Sequence, residues 1–176
     1  MELNLQNCQK NKQIILALER KVLSNQMPIA IKDSKIDITS EKSTKEIAEK
    51  FTHYLKGGEF IFLYGEMGVG KTTFVKYLIH EFQKIKNTEF TEITSPTFSL
   101  LNEYAVKDLR IKHYDLFRIK NKSDVLNLDI FENNDKIITL VEWPQLIAGD
   151  NKIKSIDLTF NYENELNNRT LVINGV

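Results

Sequence analysis

One stretch of eight residues, 65–72, constrains the fold of this chain more than any other part of the sequence. It reads G-x-x-x-x-G-K-T, follows the apolar run 60–64, and leads into residues 71–79, whose apolar positions have helical spacing. Such a loop needs glycine because its backbone wraps closely around a polyphosphate, with N–H groups pointing inward and some φ angles positive. We therefore predict a phosphate-binding loop between a buried strand and a helix whose positive end faces the anion.

The last two residues of this motif have side chains suited to a metal-bound triphosphate. Lys71 is expected to neutralise the β- and γ-phosphates, and Thr72 is expected to offer its hydroxyl to Mg²⁺. A glycine-rich turn without a ligand is the alternative, but the strand before the motif and the helix after it argue against that interpretation.

Composition narrows the class of protein. The 176 residues include 24 basic and 24 acidic side chains, so the chain as a whole has no excess positive charge for nucleic acid or an anionic membrane. Any contact with nucleic acid is expected to be local or to be made through a partner. Cys8 is the single cysteine, and His53, His80 and His113 share no metal-ligand spacing, so neither an internal disulfide nor a zinc site is expected. We expect a cytoplasmic protein with no membrane segment.

The remaining sequence predicts an N-terminal extension, residues 1–35, followed by one domain, residues 36–176. The extension has an apolar stripe at helical spacing and is expected to be helical. In the domain, a short strand at 36–39 precedes a helix that Ser40 should cap, and residues 136–142 should form a buried strand. Two antiparallel hairpins are also predicted, from residues 99–106 with 109–117 and from residues 156–162 with 170–173.

Two carboxylates at the ends of predicted strands are candidates for the chemistry. Asp115 lies near the end of the first hairpin, and Glu142 ends the buried strand. Ligands of doubly wound α/β folds collect beyond the carboxyl ends of parallel strands, and Mg²⁺ is usually held by one or two carboxylates with phosphate and water. We expect Glu142 to be linked to the metal and Asp115 to orient or activate the attacking water. The alternative for each is a surface carboxylate at a strand end.

Three further residues complete the set of candidates. Thr97, in a loop that a proline stiffens, either senses the γ-phosphate or caps its own backbone. Trp143 either belongs to the core or lies against the nucleotide. His113 is expected to point to the sheet face away from the site.

Residues 121–124 match the N-K-x-D signature with which GTPases read guanine. That signature follows an apolar strand, whereas residues 115–120 do not form one, and the companion D-x-x-G is missing after Asp115. We therefore predict a preference for adenine over guanine.

Four linked stretches resemble the bacterial TsaE (YjeE) family in their residues and in their order. The resemblance covers residues from about 36 to 173. Residues 1–35 precede the usual start of the family, and Phe117 replaces a more usual tyrosine. The stretches are residues 65–73, Ser95-Pro96-Thr97-Phe98 with Asn102-Glu103-Tyr104, His113-Tyr114-Asp115-Leu116-Phe117-Arg118, and Val141-Glu142-Trp143-Pro144.

The resemblance implies a three-layer α/β fold of the P-loop NTPase type, with a mixed, partly antiparallel sheet. It also implies Mg²⁺-dependent ATP binding and slow ATP hydrolysis that support threonylcarbamoylation of tRNA adenosine 37, together with TsaB, TsaD and TsaC.

The same motifs assign roles to individual residues. Thr72 and Glu142 would ligate Mg²⁺, and Asp115 and Lys71 would be catalytic. Glu41 and Thr44 resemble an adenine-side contact, and Arg169 resembles a late family arginine near the nucleotide. The full set expected to bind the nucleotide is Glu41, Thr44, Gly65, Gly68, Val69, Gly70, Lys71, Thr72, Thr73, Thr97, Trp143 and Arg169.

Two other functions stay open on the sequence. A small-molecule kinase would need a basic lid, whereas Arg110, Arg118 and Arg169 are scattered along the chain, and we expect no arginine finger near the loop. The other function is a nucleotide-gated binding module without meaningful turnover.

Overall fold

The computed structural model of the chain describes residues 35–132, 134–150, 153–163 and 168–175. Apart from Lys35, the N-terminal extension lies outside these ranges, and so does the helix predicted for it. Strands in the described part of the chain are β1 (Lys35–Asp37), β2 (Phe60–Tyr64), β3 (Leu101–Val106), β4 (Leu109–Asp115), β5 (Ile137–Glu142), β6 (Ser155–Glu163) and β7 (Asn168–Asn174). Helices are α1 (Glu41–Thr52), α2 (Lys71–Lys86) and α3 (Lys122–Leu126), with 3-10 turns at Asp129–Phe131 and Pro144–Leu146.

The strands form one mixed sheet in the order β1-β7-β6-β2-β5-β4-β3. At its centre, β2 runs parallel to β5 and to β6, and β4 runs parallel to β5. The outer pairs β3–β4, β6–β7 and β1–β7 are antiparallel, which confirms both predicted hairpins and the mixed, partly antiparallel sheet. Because β2, β4 and β5 are parallel, their carboxyl ends meet at one edge, beside the glycine-rich loop that follows β2.

Side chains alternate between the two faces of the sheet and divide the core into two layers. In β2, Ile61 and Leu63 pack with apolar residues of α1 and α2, whereas Phe60 and Phe62 pack on the other face with Val125 of α3 and Ile130. Every residue of β5 is buried, as expected for a strand that is covered on both faces. The three-layer arrangement predicted from the sequence is therefore present.

Element ends differ from the predicted ones by a few residues. Ser40 caps α1 as predicted, with its Oγ accepting from the Ser43 amide at 3.0 Å. The helix ends at Thr52. The amides of Tyr54 and Leu55 donate to carbonyls three residues back, as in turns, before the glycines at 57 and 58. Strand β4 stops at Asp115 and not at Phe117, since the Phe117 amide donates to Asp115 Oδ1 at 2.9 Å and turns the chain out of the sheet. None of the helices in the described ranges combines the length and the apolarity needed to cross a lipid bilayer.

Candidate functional site

The loop between β2 and α2 has the backbone conformation that its glycines predict. The φ angles of Gly65, Gly68 and Gly70 are 136°, 78° and 114°, in the region that side chains rarely adopt. A Cβ at Gly65 would lie 2.5 Å from the Phe160 carbonyl oxygen, so no larger residue fits there. A Cβ at Gly70 would meet nothing within 4 Å, which shows open space at the start of α2. Val69 is 1% exposed with its side chain in the core, so it can serve a ligand only through its backbone.

Lys71 lies buried across this loop. Its Nζ donates to the carbonyl oxygens of Gly65 at 2.8 Å and Glu66 at 2.9 Å, and lies 4.4 Å from the centre of the Trp143 ring. Burial lowers the pKa of the Lys71 ammonium, and the negative charges of Glu142 and Asp115 act in the opposite direction. The folded chain thus holds a partly desolvated cation in the loop, where an anionic ligand would relieve the cost of its burial.

Thr72 and Glu142 meet at the carboxyl end of β5. The Thr72 hydroxyl donates to Glu142 Oε1 at 2.8 Å, which links the first turn of α2 to the strand beside β2. His113 reaches the same oxygen, with its Nε2 3.0 Å away. The prediction that His113 points away from the site is therefore wrong. Residues 113 and 115 are two apart on one strand, so strand alternation places both on the same face.

Asp115 is buried beside Glu142 and is held by hydroxyls from the loop after α2. Thr97 Oγ1 donates to Asp115 Oδ2 at 2.5 Å, and Ser95 Oγ donates to the same oxygen at 3.2 Å. The two hydroxyl oxygens are 2.7 Å apart. The Thr97 side chain thus bonds the predicted catalytic carboxylate and not its own backbone.

Trp143 is the residue at which the chain leaves β5, and its φ of 57° lies in the left-handed region. This conformation places its half-buried ring over Lys71 and against the ring of Phe117, with centroids 4.9 Å apart. The ring packs against the apolar core layer that contains Phe62 and Val141, and it also lines the cavity beside the loop; contact with a nucleotide stays a prediction.

These side chains surround one cavity of about 630 Å³. The structure brings together there Gly68, Gly70, Lys71, Thr72, Thr73, Thr97, Asp115, Glu142 and Trp143 of the predicted set. It adds Met67, Ser95, Phe98, Phe117 and Arg118. The turn after Asp115 carries Arg118 to the rim of the cavity, with its guanidinium 5.3 Å from the Phe98 ring centre.

Glu41 and Thr44, predicted on the adenine side, and Arg169, predicted near the nucleotide, do not line this cavity. Glu41 is exposed, and its Oε1 accepts from the Tyr77 hydroxyl at 2.5 Å. Thr44 is buried, and its hydroxyl lies within hydrogen-bond distance of two carbonyl oxygens, those of Ile38 and Ser40. The Arg169 guanidinium lies 5.6 Å from the ring centre of Tyr162.

Tyr162 is the link between Arg169 and the phosphate loop, and sequence reasoning did not find it. Its hydroxyl would be 3.3 Å from a Cβ at Gly68. Only the pairing of β6 with β2 brings it there, and no local motif marks that pairing. Ser95 and Arg118, by contrast, flank predicted residues in the sequence and could have been found from that adjacency.

Residues 121–124 lie at the start of α3, so the N-K-x-D match does not follow a strand. The Asn121 amide nitrogen bonds Asp124 Oδ2 at 3.3 Å, and Lys122 pairs with Asp150 at 3.4 Å. None of the four residues lines the cavity.

The oxygens at the end of β5 suit a hard cation such as Mg²⁺. Among the described residues, no group of three or more His, Cys, Asp or Glu side chains could hold a metal ion by itself. Mg²⁺ usually takes only one or two protein ligands and fills its shell with phosphate and water. The Thr72 hydroxyl and the Glu142 carboxylate are two oxygen groups in contact at the cavity wall, so the donor set fits the ion.

A sequence model of one protein family matches residues 38–171, more than half of the chain. The family is described as threonylcarbamoyl adenosine biosynthesis protein TsaE. The matched range includes every predicted site residue named above.

Individual relatives agree with this match. A tRNA threonylcarbamoyladenosine biosynthesis protein TsaE from Rickettsia typhi is 38% identical over 110 residues, which are 62% of this chain and 74% of that protein. The protein of the same name from Aquifex aeolicus is 39% identical over 108 residues, 61% of this chain and 74% of its own. The crystal structure of Bacillus subtilis YdiB superimposes with a TM-score of 0.59 over 81% of this chain and 85% of that one. The sequence identity to that structure is 23%, so the similarity shows the fold alone. This fold is of the P-loop NTPase type.

Proposed function

The chain belongs to the TsaE family, whose role is in tRNA threonylcarbamoyladenosine biosynthesis, and we propose that it binds Mg-ATP and hydrolyses it slowly in support of that modification. The observation that carries the proposal is the convergence of Lys71, the Thr72–Glu142 pair and Asp115 on one cavity at the phosphate loop. A cation, a hydroxyl–carboxylate pair and a second carboxylate are the groups that triphosphate hydrolysis needs from a protein.

Binding would depend first on the loop and Lys71. The first amides of a helix have no partner within it, and a Cβ at Gly70 would meet nothing within 4 Å, so the amides at the start of α2 would bind phosphate oxygens in that space. The Lys71 ammonium, now bonded to the carbonyls of Gly65 and Glu66, would turn toward the β- and γ-phosphates. Val69 and Gly65 would contribute their backbone only.

Thr72 and Glu142 would hold Mg²⁺ through their oxygens. When bound, the metal neutralises developing charge on the phosphate oxygens. The protein's own part is to keep the two side chains in contact before the ligand arrives, so that little is lost in arranging them.

Asp115 would orient the attacking water. Attack by the water oxygen on the γ-phosphorus forms one P–O bond and breaks the bond to the β–γ bridging oxygen, which leaves with ADP, while one proton of the water passes to the Asp115 carboxylate. Thr97 and Ser95 hold Asp115 Oδ2 and so fix the direction of the carboxylate. Thr97 would exchange this bond for one to the γ-phosphate, which makes it a sensor of the triphosphate.

Partners are part of the proposal. Beyond Lys71 and Mg²⁺, the cavity lining offers one exposed cation, Arg118, to compensate negative charge in the transition state, so we infer slow hydrolysis by the isolated protein. A TsaB–TsaD complex would complete or read the site in the cytoplasm, TsaC would act in the same modification, and tRNA would be reached through the complex. The balanced charge of the chain supports an indirect contact with tRNA.

The test is to measure phosphate release and tRNA modification with the same protein preparations. We expect slow release of phosphate by the protein alone, faster release with TsaB–TsaD, and threonylcarbamoylated tRNA when TsaC, tRNA, threonine and bicarbonate are added. Asp115→Asn should lose both activities. Stoichiometric transfer of the γ-phosphate to a small acceptor would favour a kinase instead. Full tRNA modification by Asp115→Asn without phosphate release would favour a binding module.

A further inference from the structure

A buried histidine lies behind the proposed metal-facing carboxylate. His113 is 0% exposed, and its Nε2 lies 3.0 Å from Glu142 Oε1. Its other ring nitrogen, Nδ1, is buried with no hydrogen-bond partner among the described residues. Buried polar atoms are normally paired. The bond to Glu142 is the polar contact that the described residues give this ring, so it is the reason for a histidine at this position. Packing alone would be served as well by an apolar residue.

The chemistry of the two groups sets the direction of this bond. A carboxylate only accepts, so Nε2 must carry the hydrogen and donate it to Glu142. Nδ1 then needs no hydrogen, which agrees with its lack of an acceptor. His113 is thus a donor aimed from the interior of the sheet at the carboxylate that ends β5.

Both donors to Glu142 reach the same oxygen. Thr72 Oγ1 is 2.8 Å and His113 Nε2 is 3.0 Å from Oε1, and Oε2 accepts no hydrogen bond from the described residues. One donor comes from α2 and the other from β4, so the carboxylate is fixed from two sides. Its second oxygen is left for a ligand in the cavity that Glu142 lines.

We propose that His113 is a positioning residue that orients Glu142 so that its free oxygen can serve Mg²⁺. This inference rests on the proposed function and adds a residue to it. Partners that hydrogen-bond a metal ligand typically change metal affinity by about 10–100-fold when they are removed. His113 should therefore affect binding that depends on Mg²⁺ and leave metal-free binding to the phosphate loop unchanged.

The variants His113→Gln and His113→Asn test this directly. Both are amides, but the glutamine nitrogen can reach the position of Nε2, whereas the asparagine nitrogen reaches only the position of Nδ1. The measurement is ADP affinity by calorimetry, once with Mg²⁺ and once with EDTA, on protein whose folding is checked by thermal melting. We expect His113→Asn to reduce the gain in affinity from Mg²⁺ by about tenfold or more, and His113→Gln to keep most of it. Affinity in EDTA should be the same for all three proteins.

A third variant is used if His113→Asn does not fold. His113→Leu also removes the donor and should lose the Mg²⁺ effect in the same way. Equal Mg²⁺ effects in the glutamine variant and in a folded asparagine or leucine variant would overturn the role of His113. No Mg²⁺ effect in the unmodified protein would instead overturn the proposed function, and the inference with it.

A double-mutant cycle separates positioning from packing. If His113 acts only through Glu142, then His113→Leu should change nothing further in the Mg²⁺ effect of a Glu142→Ala protein. An additional loss of the same size in that background would show that His113 acts independently of Glu142 and would contradict the proposal.

Discussion

The two sides of the phosphate loop are built in different ways. On the phosphate side, defined by Lys71, Thr72, Asp115 and Glu142, the side chains bond to one another or to nearby loop residues. On the base side, defined by Glu41, Thr44 and Arg169, the side chains contact groups that do not line the cavity, namely Tyr77, the Ile38 carbonyl and Tyr162. A preorganised site loses little entropy when its ligand arrives, so its contacts contribute strongly to binding. We therefore expect binding energy to be concentrated on the phosphate side.

Replacing Lys71 by alanine should have the largest effect. A hydrogen bond to a charged group contributes about 1.5–3 kcal/mol, so losing the contacts to two phosphates should weaken ATP binding by roughly a hundredfold or more. Lys76 is an exposed lysine on the same helix, and Lys76→Ala is the matched control. Unchanged affinity in the Lys71→Ala protein, measured by calorimetry, would mean that the triphosphate lies elsewhere.

Substitutions of the two carboxylates on the phosphate side should have different effects on binding and on turnover. Glu142→Ala should weaken Mg²⁺-dependent binding as well as turnover, because it removes a metal ligand. Asp115→Asn keeps an oxygen that can accept from Thr97, so Mg-ATP affinity should stay within several-fold while turnover falls by about a hundredfold or more. Asp108→Asn, in the exposed turn before β4, is the control. Normal turnover by Asp115→Asn with partners present would remove Asp115 from the mechanism.

Changes on the base side should be smaller. Glu41 is exposed and Arg169 is partly exposed, and polar contacts at such positions contribute about 0–1 kcal/mol, so Glu41→Ala and Arg169→Ala should each weaken ATP binding by less than about tenfold. Tyr77→Phe removes the hydroxyl that Glu41 accepts from and separates the effect of that bond from the effect of the carboxylate. A loss as large as that of Lys71→Ala would show that the two sides contribute equally.

The fluorescence of Trp143 should report ligand binding in the protein without any substitution. Trp143 is the single tryptophan of the chain and lies over Lys71, so its fluorescence should change when ATP or ADP binds. The change should saturate at the same concentration as the heat of binding. A constant signal during binding that calorimetry detects would mean that the ligand does not reach this ring.

The two sides of the phosphate loop also differ in how much of them the sequence predicts. The phosphate side follows from local patterns, because Gly65, Lys71 and Thr72 belong to one motif and Asp115 and Glu142 each end a recognisable strand. Parallel pairing of β2, β4 and β5 then brings them together. The chemistry imposes these residue types at these places, so the pattern can be read without the fold.

Other features depend on contacts between distant segments. Tyr162 reaches Gly68 through the pairing of β6 with β2, and Arg118 reaches the cavity through a turn at Asp115 that stops β4 early. His113 is a different case, because its face follows from strand alternation relative to Asp115 and could have been predicted correctly. The roles assigned to Glu41, Thr44 and Arg169 stay predictions, since none of the three lines the cavity and Arg169 approaches it only through Tyr162.

The most direct test of this account is a calorimetric titration of the unmodified protein with Mg-ATP and with Mg-GTP. A phosphate side built before the ligand arrives predicts saturable binding of about one ATP per chain, and the position of residues 121–124 in α3 predicts weaker binding of GTP. Absence of saturable ATP binding, or GTP binding that equals or exceeds it, would contradict the account.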